Sequence, residues 1–280
     1  MLYERWRHVA RTRGHEMALL DVATGQQWSF AQLDRLTETA DARSIVYPQG
    51  PDFIFSVLRG WRSHAVVCPL EAGEKPPCLP QPPHPCCHLK TTSATTGAPR
   101  AIAFSADQLA ADADNIVAAM GLRPEWPNLG VISMAHSYGF SNLVLPLLLH
   151  GIPLILLPSP LPEIVRSAAA FGRDLTLAAV PAMWGAWHAA GTIPGNVRLA
   201  ISAGAPLRAD LERAVFEASG IKIHNFYGSS ECGGIAYDSA AIPREDESFV
   251  GFRNASRGAF VELGRLSVGR QPGRWRNILA

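Results

Sequence analysis

Short runs of β-branched and aliphatic residues alternate along this chain with stretches whose apolar residues recur at helical spacing. Ser44-Ile45-Val46-Tyr47 reads as a strand, Phe53 to Trp61 as a helix, and Ala65 to Leu70 as the next strand. The alternation returns later. Strands are expected from Leu129 to Met134, Ile152 to Leu157, Leu175 to Val180, Arg198 to Ser202 and Ile221 to Asn225. Helices are expected from Phe140 to Leu149 and from Asp210 to Ser219. Such alternation predicts an α/β fold of layered, largely parallel sheets with packed helices. Ligands in such sheets sit beyond the carboxyl ends of strands, so candidate chemistry is sought there.

Two stretches bound the architecture. The longest apolar run, Leu143 to Leu157, is broken by His150, Gly151 and Pro153. It is shorter than the ~20 apolar residues that a spanning helix needs. It reads as a core helix, a turn and a buried strand, and no membrane span is expected. Lys75 to Pro85 is rich in proline, which fixes φ and lacks a donor, so this stretch reads as an extended linker. The expected organisation is a first α/β part at 1–75, a linker at 76–85, a core at 86–268 and a loose basic tail at 269–280.

Composition narrows the partners. Hydrophobic residues are 48% and charged residues 18% of 280, enough to bury a sizeable core. Lys+Arg at 25 against Asp+Glu at 24 leaves a net charge of +1 and no general field for nucleic acid. Five cysteines, an odd count, do not form a disulfide framework and point to a reducing, cytoplasmic compartment. The first 21 residues carry charges throughout and have no apolar core, unlike a secretory signal.

Four segments carry candidate chemistry. Thr91 to Arg100 packs five hydroxyls, Gly97, Pro99 and the Arg100 cation into ten residues. Hydroxyls, backbone N–H groups and a forked cation suit a polyphosphate. The spacing is not that of a Walker A loop. Ser133 to Gly139 holds His136, and Ile201 to Leu207 runs from a strand through small residues into a turn. Asn225 to Glu231 offers an aromatic ring, a glycine turn, hydroxyls and one carboxylate at a strand end. A carboxylate beside phosphates makes sense chiefly through a bridging cation such as Mg²⁺.

Taken in this order, the segments resemble the adenylate-forming superfamily of acyl-CoA synthetases, nonribosomal peptide adenylation domains and luciferases. Thr92 to Arg100 resembles its [ST]-[ST]-G-[ST]-[ST]-G-x-P-K loop, with Ala94 for a glycine and Arg100 for the lysine. Tyr227-Gly228-Ser229-Ser230-Glu231 matches its Y-G-x-[ST]-E motif in full. Ser133 to Gly139 is similar to P-x-x-H-x-x-G with serine in place of proline. Trp28 to Leu33, Phe53 to Leu70, Phe249-Val250-Gly251 and Gly264 to Val268 resemble further family segments.

The resemblance implies the fold of the family's large N-terminal domain, with ATP and Mg²⁺ as cofactors. Its substrate is a small carboxylic acid, and CoA or a carrier-protein thiol is the acceptor. It places Thr92, Ser93, Thr95, Thr96, Gly97 and Arg100 on the β- and γ-phosphates. Gly204, Ala205 and Pro206 line the adenine pocket, and Tyr227 lies against the base. Gly228, Ser229 and Ser230 adjoin phosphate, Glu231 is the Mg²⁺-associated acid, and His136 adjoins the acyl substrate. The family's T-G-D motif, hinge and C-terminal lysine domain have no counterpart before Ala280. This predicts an N-terminal domain only, impaired alone, with the remaining lobe cut off or supplied by a separate chain.

Two other readings compete. One is a non-catalytic nucleotide or acyl-adenylate binding module, favoured by Ala94 and the missing lysine. The other is a zinc site formed by Cys78, His84, Cys86, Cys87 and His88. Their spacing lacks the usual C-x₂₋₄-C pattern, which favours ordinary thiols. Cys232 reads as structural. No G-x-S-x-G elbow is present for a serine hydrolase.

Overall fold

The structure, a computed structural model, describes residues 1–38, 44–47, 50–74, 85–91 and 101–245. The proline-rich stretch 75–84, residues 92–100 and residues 246–280 lie outside the described residues. With them lie Cys78, His84 and the expected basic tail.

Twelve strands form among the described residues: β1 (Met17–Asp21), β2 (Gln26–Ser29), β3 (Ile45–Val46), β4 (Cys68–Pro69), β5 (His88–Thr91), β6 (Ala101–Phe104), β7 (Asn128–Gly130), β8 (Leu154–Leu156), β9 (Leu175–Ala179), β10 (Val197–Ser202), β11 (Ile223–Ser229) and β12 (Gly233–Tyr237). Eight of them make one sheet in the order β12-β11-β10-β9-β7-β8-β1-β2. Every pairing from β11 to β1 is parallel, and the antiparallel strands β12 and β2 lie at the edges. The largely parallel α/β expectation is met. The N-terminal β1 pairs with β8, so the first part of the chain completes the same sheet.

The apolar runs are continuous because both faces are buried, as parallel sheets require. Leu154 and Leu156 pack into a cluster with Trp6, Phe53 and Phe140, whereas Ile155 packs on the opposite face with Trp184 and Trp187. Leu199 and Ile201 join Ile116 and Phe226 on a third cluster, while Ala200 between them joins the tryptophan side. Helices cover each face. Helix Ala106–Met120 opens on a capping box of Ser105 with Gln108 and closes at Gly121 in the left-handed region. It carries Asp112 into the interior.

Several elements differ in extent from the sequence expectation, each for a local reason. The 65–70 strand shrinks to Cys68–Pro69, the two residues in register with Ile45 and Val46, while Val67 before them pairs with His88 instead. The 129–134 strand stops at Gly130; beyond it the Ser133 hydroxyl accepts from the Ala135 N–H and turns the chain. The helix expected over 140–149 spans 137–150 and contains a π-helical turn at Phe140–Val144. The 221–225 strand is displaced to Ile223–Ser229, because β12 returns antiparallel and extends its pairing. No apolar periodicity announces β12, whose sequence begins Gly233-Gly234.

A buried four-charge network anchors the chain after β12. Glu212 lies 2.6 Å from Lys222 and 2.7 Å from Arg244, and Lys222 lies 2.7 Å from Asp238. The two acids and two bases offset each other, and the Leu207 carbonyl accepts from Arg244. Removing one member strands the rest without compensation. Glu212→Ala is therefore expected to cost about 3–5 kcal/mol. Urea unfolding followed by circular dichroism checks this through a lowered midpoint.

Candidate nucleotide-binding site

The candidate residues gather where β9, β10 and β11 end. Ser202 is in register with Ala179 on one side and Asn225 on the other, so the parallel ladder ends at one level, and β11 runs on past it to Ser229. Gly204-Ala205-Pro206 follows β10 as an exposed turn, with Gly204 at φ +85°. A side chain there meets Val180 Cγ1 at 3.3 Å as well as an unfavourable φ, so a small, left-handed residue is required. Tyr227, on β11, is 47% exposed, unusually open for a tyrosine within a sheet.

The 136–139 segment closes over these strand ends. Tyr138 donates toward the carbonyls of Ala179 and Ile201, each at 3.3 Å, and its ring lies 6.1 Å from that of Phe226. Burial pushes the Tyr138 hydroxyl well above its ordinary range, so it remains a donor. Ser137 Oγ donates to Ser230 Oγ at 3.0 Å, which joins the histidine segment to the 227–231 segment. Gly139 has φ −68°, so its need is for space alone. A Cβ there would fall 1.9 Å from the Ser133 carbonyl oxygen.

His136 itself is 64% exposed. Its Nε2 lies 3.4 Å from Glu71 Oε1, and Ser133 Oγ donates to that same carboxylate oxygen. Glu71 escaped the sequence reading. It follows the Cys68–Pro69 strand. Its position just past a strand end was the one available signal.

The 227–231 segment differs from expectation in one respect. Gly228 is not at a turn but within β11, where a Cβ would lie 2.8 Å from the Gly233 carbonyl oxygen. The turn falls after Ser229, and the chain re-enters β12 at Gly233 with φ +71°. The reason is the antiparallel return, which holds Tyr227 and Gly228 in a ladder against Ala236 and Gly234. Glu231 and Cys232 are exposed in this turn, so Cys232 is a surface thiol rather than a structural one.

Behind the turn lies a buried polar group that the sequence reading also missed. Lys90 on β5, Asp112 and Ser141 meet there, each nearly excluded from solvent. Lys90 Nζ is 3.2 Å from Ser141 Oγ and 3.6 Å from Asp112 Oδ2. Ser141 donates to Asp112 at 2.6 Å, and the Gly234 N–H donates to its other oxygen at 3.0 Å. Burial pushes the Lys90 ammonium down, and the Asp112 charge and hydrogen bond oppose this. Residues 92–100, with Thr92, Ser93, Thr95, Thr96, Gly97 and Arg100, follow Thr91 directly but lie outside the described residues.

The described part of the Cys/His run, Cys86 to His88, packs into or against the core. His88 is fully buried with its ring 4.2 Å from that of Phe140, and burial drives its pKa down, so it is neutral. Cys86 Sγ contacts the His88 carbonyl at 3.5 Å. Burial raises the Cys68 thiol to about 11 and the Cys87 thiol to about 12. Among the described residues, no three His, Cys, Asp or Glu side chains converge as a metal site.

The fold and site together define a mostly parallel α/β domain whose polar groups collect at the carboxyl ends of neighbouring strands. The AMP-binding enzyme family model matches residues 43–256, and the chain belongs to this family of adenylate-forming enzymes. The structure is similar to an inhibitor-bound N-terminal domain of FACL13 from Mycobacterium tuberculosis, with TM-score 0.70 and 15% identity, covering 85% of this chain and 78% of that one. It is similar also to ATP-bound MatB from Rhodopseudomonas palustris, with TM-score 0.72 and 17% identity, covering 86% of this chain and 63% of MatB. VinN in complex with L-aspartate gives TM-score 0.71 and 16% identity, covering 85% of this chain and 78% of VinN. At these identities the likeness is one of fold. No curated protein matches the chain. Among the described residues, no helix is long and apolar enough to cross a membrane.

Two outcomes follow from this geometry. Gly139→Ala is expected to cost about 3 kcal/mol through overpacking against the Ser133 carbonyl; thermal unfolding reads the loss. At pH 8, iodoacetamide is expected to label Cys232 well before Cys68 or Cys87, because only a thiolate reacts and burial keeps the latter two protonated. Peptide mass mapping gives the order, and labelling of Cys68 and Cys87 should rise with each pH unit toward 10.

Proposed function

We propose that this chain binds ATP and activates a carboxylic acid as its acyl-adenylate. The observation that carries the reading is the convergence of three segments at the ends of β9, β10 and β11. The 136–139 segment, the 204–206 turn and the 227–231 segment meet there, joined by the Ser137–Ser230 hydrogen bond. The residues fit a nucleotide. Small exposed residues at 204–206 and the open Tyr227 ring leave room for a flat base. Ser202 Oγ and Asn225 Nδ2, on registered residues of the same strand ends, are buried with no hydrogen-bond partner.

In this reading a carboxylate oxygen of the acid attacks the α-phosphorus of ATP, and the bond to pyrophosphate breaks. The protein's part is positioning and charge neutralisation. Gly204, Ala205 and Pro206 receive the adenine, and Tyr227 lies against it. Ser229 and Ser230 orient phosphate oxygens, together with Thr92, Ser93, Thr95, Thr96, Gly97 and Arg100. Mg²⁺ held through Glu231 would supply charge neutralisation on the phosphates. His136, steadied by Glu71, faces the acid. CoA or a carrier-protein thiol then takes the acyl group, in a cytoplasmic setting.

The test is ATP–pyrophosphate exchange by the purified chain, with Mg²⁺ and a panel of aliphatic, aromatic and amino acids. Exchange stimulated by one acid class is expected, and Glu231→Gln should lower it by about 10²–10³. Tight ATP binding without exchange would instead support a binding module. Absence of any ATP binding overturns the reading.

A further inference from the structure

We infer that the buried Lys90–Asp112–Ser141 cluster is a positioning device that sets the geometry of the 229–234 turn and, through it, the affinity for nucleotide. This rests on the adenylate-forming reading and adds residues that the site motifs do not contain. Asp112 is the centre. One of its oxygens accepts from Ser141 at 2.6 Å and faces the Lys90 ammonium at 3.6 Å. The other accepts from the Gly234 N–H at 3.0 Å. Three segments of the site therefore share a single carboxylate.

Each segment enters through a short lever. Lys90 precedes Thr91, the last residue of β5. Ser141 lies one helical turn after Ser137, whose hydroxyl reaches Ser230. Gly234 is the second residue of β12, three residues past Glu231. The turn is built around the carboxylate as well as bonded to it. A Cβ on Gly233 would fall 2.3 Å from Asp112 Oδ1, and its φ of +71° already disfavours any other residue. The 3.0 Å bond to Gly234 and the absence of a Cβ on Gly233 are thus one arrangement.

A charge pair in this position is costly unless it does more than pack. Burying a lysine and an aspartate gives no assured stability over apolar residues of similar volume. Apolar replacements would, however, leave the Gly234 N–H without an acceptor. The pair is therefore explained by the direction it gives to that N–H and to Ser141. Asp112 is held by Ser141 and the Gly234 N–H behind the turn, and acts through the turn.

The experiment compares Lys90→Met/Asp112→Leu with Lys90→Met/Asp112→Asn in the full chain. Both remove the charges; only the second keeps an oxygen for the Gly234 N–H. ATP binding is read by titration calorimetry and backbone order by hydrogen–deuterium exchange over 229–237. The first double variant is expected to lose about tenfold in ATP affinity, the size of one hydrogen bond to a charged group. It should also lose amide protection in 229–237. The asparagine variant should recover most of both. If the leucine variant does not fold, Gly233→Ala tests the same contact from the turn side and should show the same tenfold loss and faster exchange. Equal ATP affinity and equal protection in folded variants would overturn the inference. Should the wild-type chain bind no ATP, the proposed function fails, and the exchange data alone still decide whether Asp112 holds the turn.

Discussion

Because β8, β9 and β10 bury side chains on both faces, the polar chemistry that this sheet offers to solvent collects at the ends of its strands. Leu154 and Leu156 face one cluster and Ile155 the other; Leu199 and Ile201 face one side and Ala200 the opposite. Each strand is thus committed to the core along its length. Polar residues begin where the parallel ladder ends: Ser202 at the last position of β10, the 204–206 turn after it, and Tyr227 onward in the part of β11 beyond that ladder. The register that aligns Ala179, Ser202 and Asn225 makes those separate exits into one site.

Holding that site in shape falls to backbone-level fits. Gly139 brings the helix start against the Ser133 carbonyl, which leaves His136 facing outward beside Glu71. Tyr138 then spans the carbonyls that end β9 and β10. On the far side, Gly228, Gly233 and Gly234 allow β12 to return tightly along β11. These glycines differ in purpose. Gly139 and Gly228 answer a shortage of space, whereas Gly204 and Gly233 also need positive φ.

Part of the charge is placed indoors. Two buried networks, one around Asp112 and one around Glu212, sit at opposite ends of the β11–β12 hairpin. The first takes the Gly234 N–H near the turn. The second reaches Lys222 before β11 and Asp238 after β12. The hairpin that carries Tyr227 and Glu231 is therefore pinned at both ends by ionised groups, although the chain as a whole has a net charge of only +1.

Much of this was legible in the sequence. Apolar runs such as 175–180 and 198–202 announce buried parallel strands, since strand length and side-chain period are local properties. The motif residues 136–139, 204–206 and 227–231 were readable as chemistry because their spacing is itself local. Other features required the folded chain. β12 has no apolar pattern, and its pairing exists only because β11 offers an edge. Lys90, Asp112 and Ser141 are 22 and 29 residues apart in sequence and look like ordinary strand and helix positions. Glu71 and His136 likewise meet only through packing. Sequence determines which segments become strands, helices and turns, because those choices depend on near neighbours. Which polar side chains end up sharing a carboxylate or a strand end is decided by tertiary register, and no local spacing encodes it.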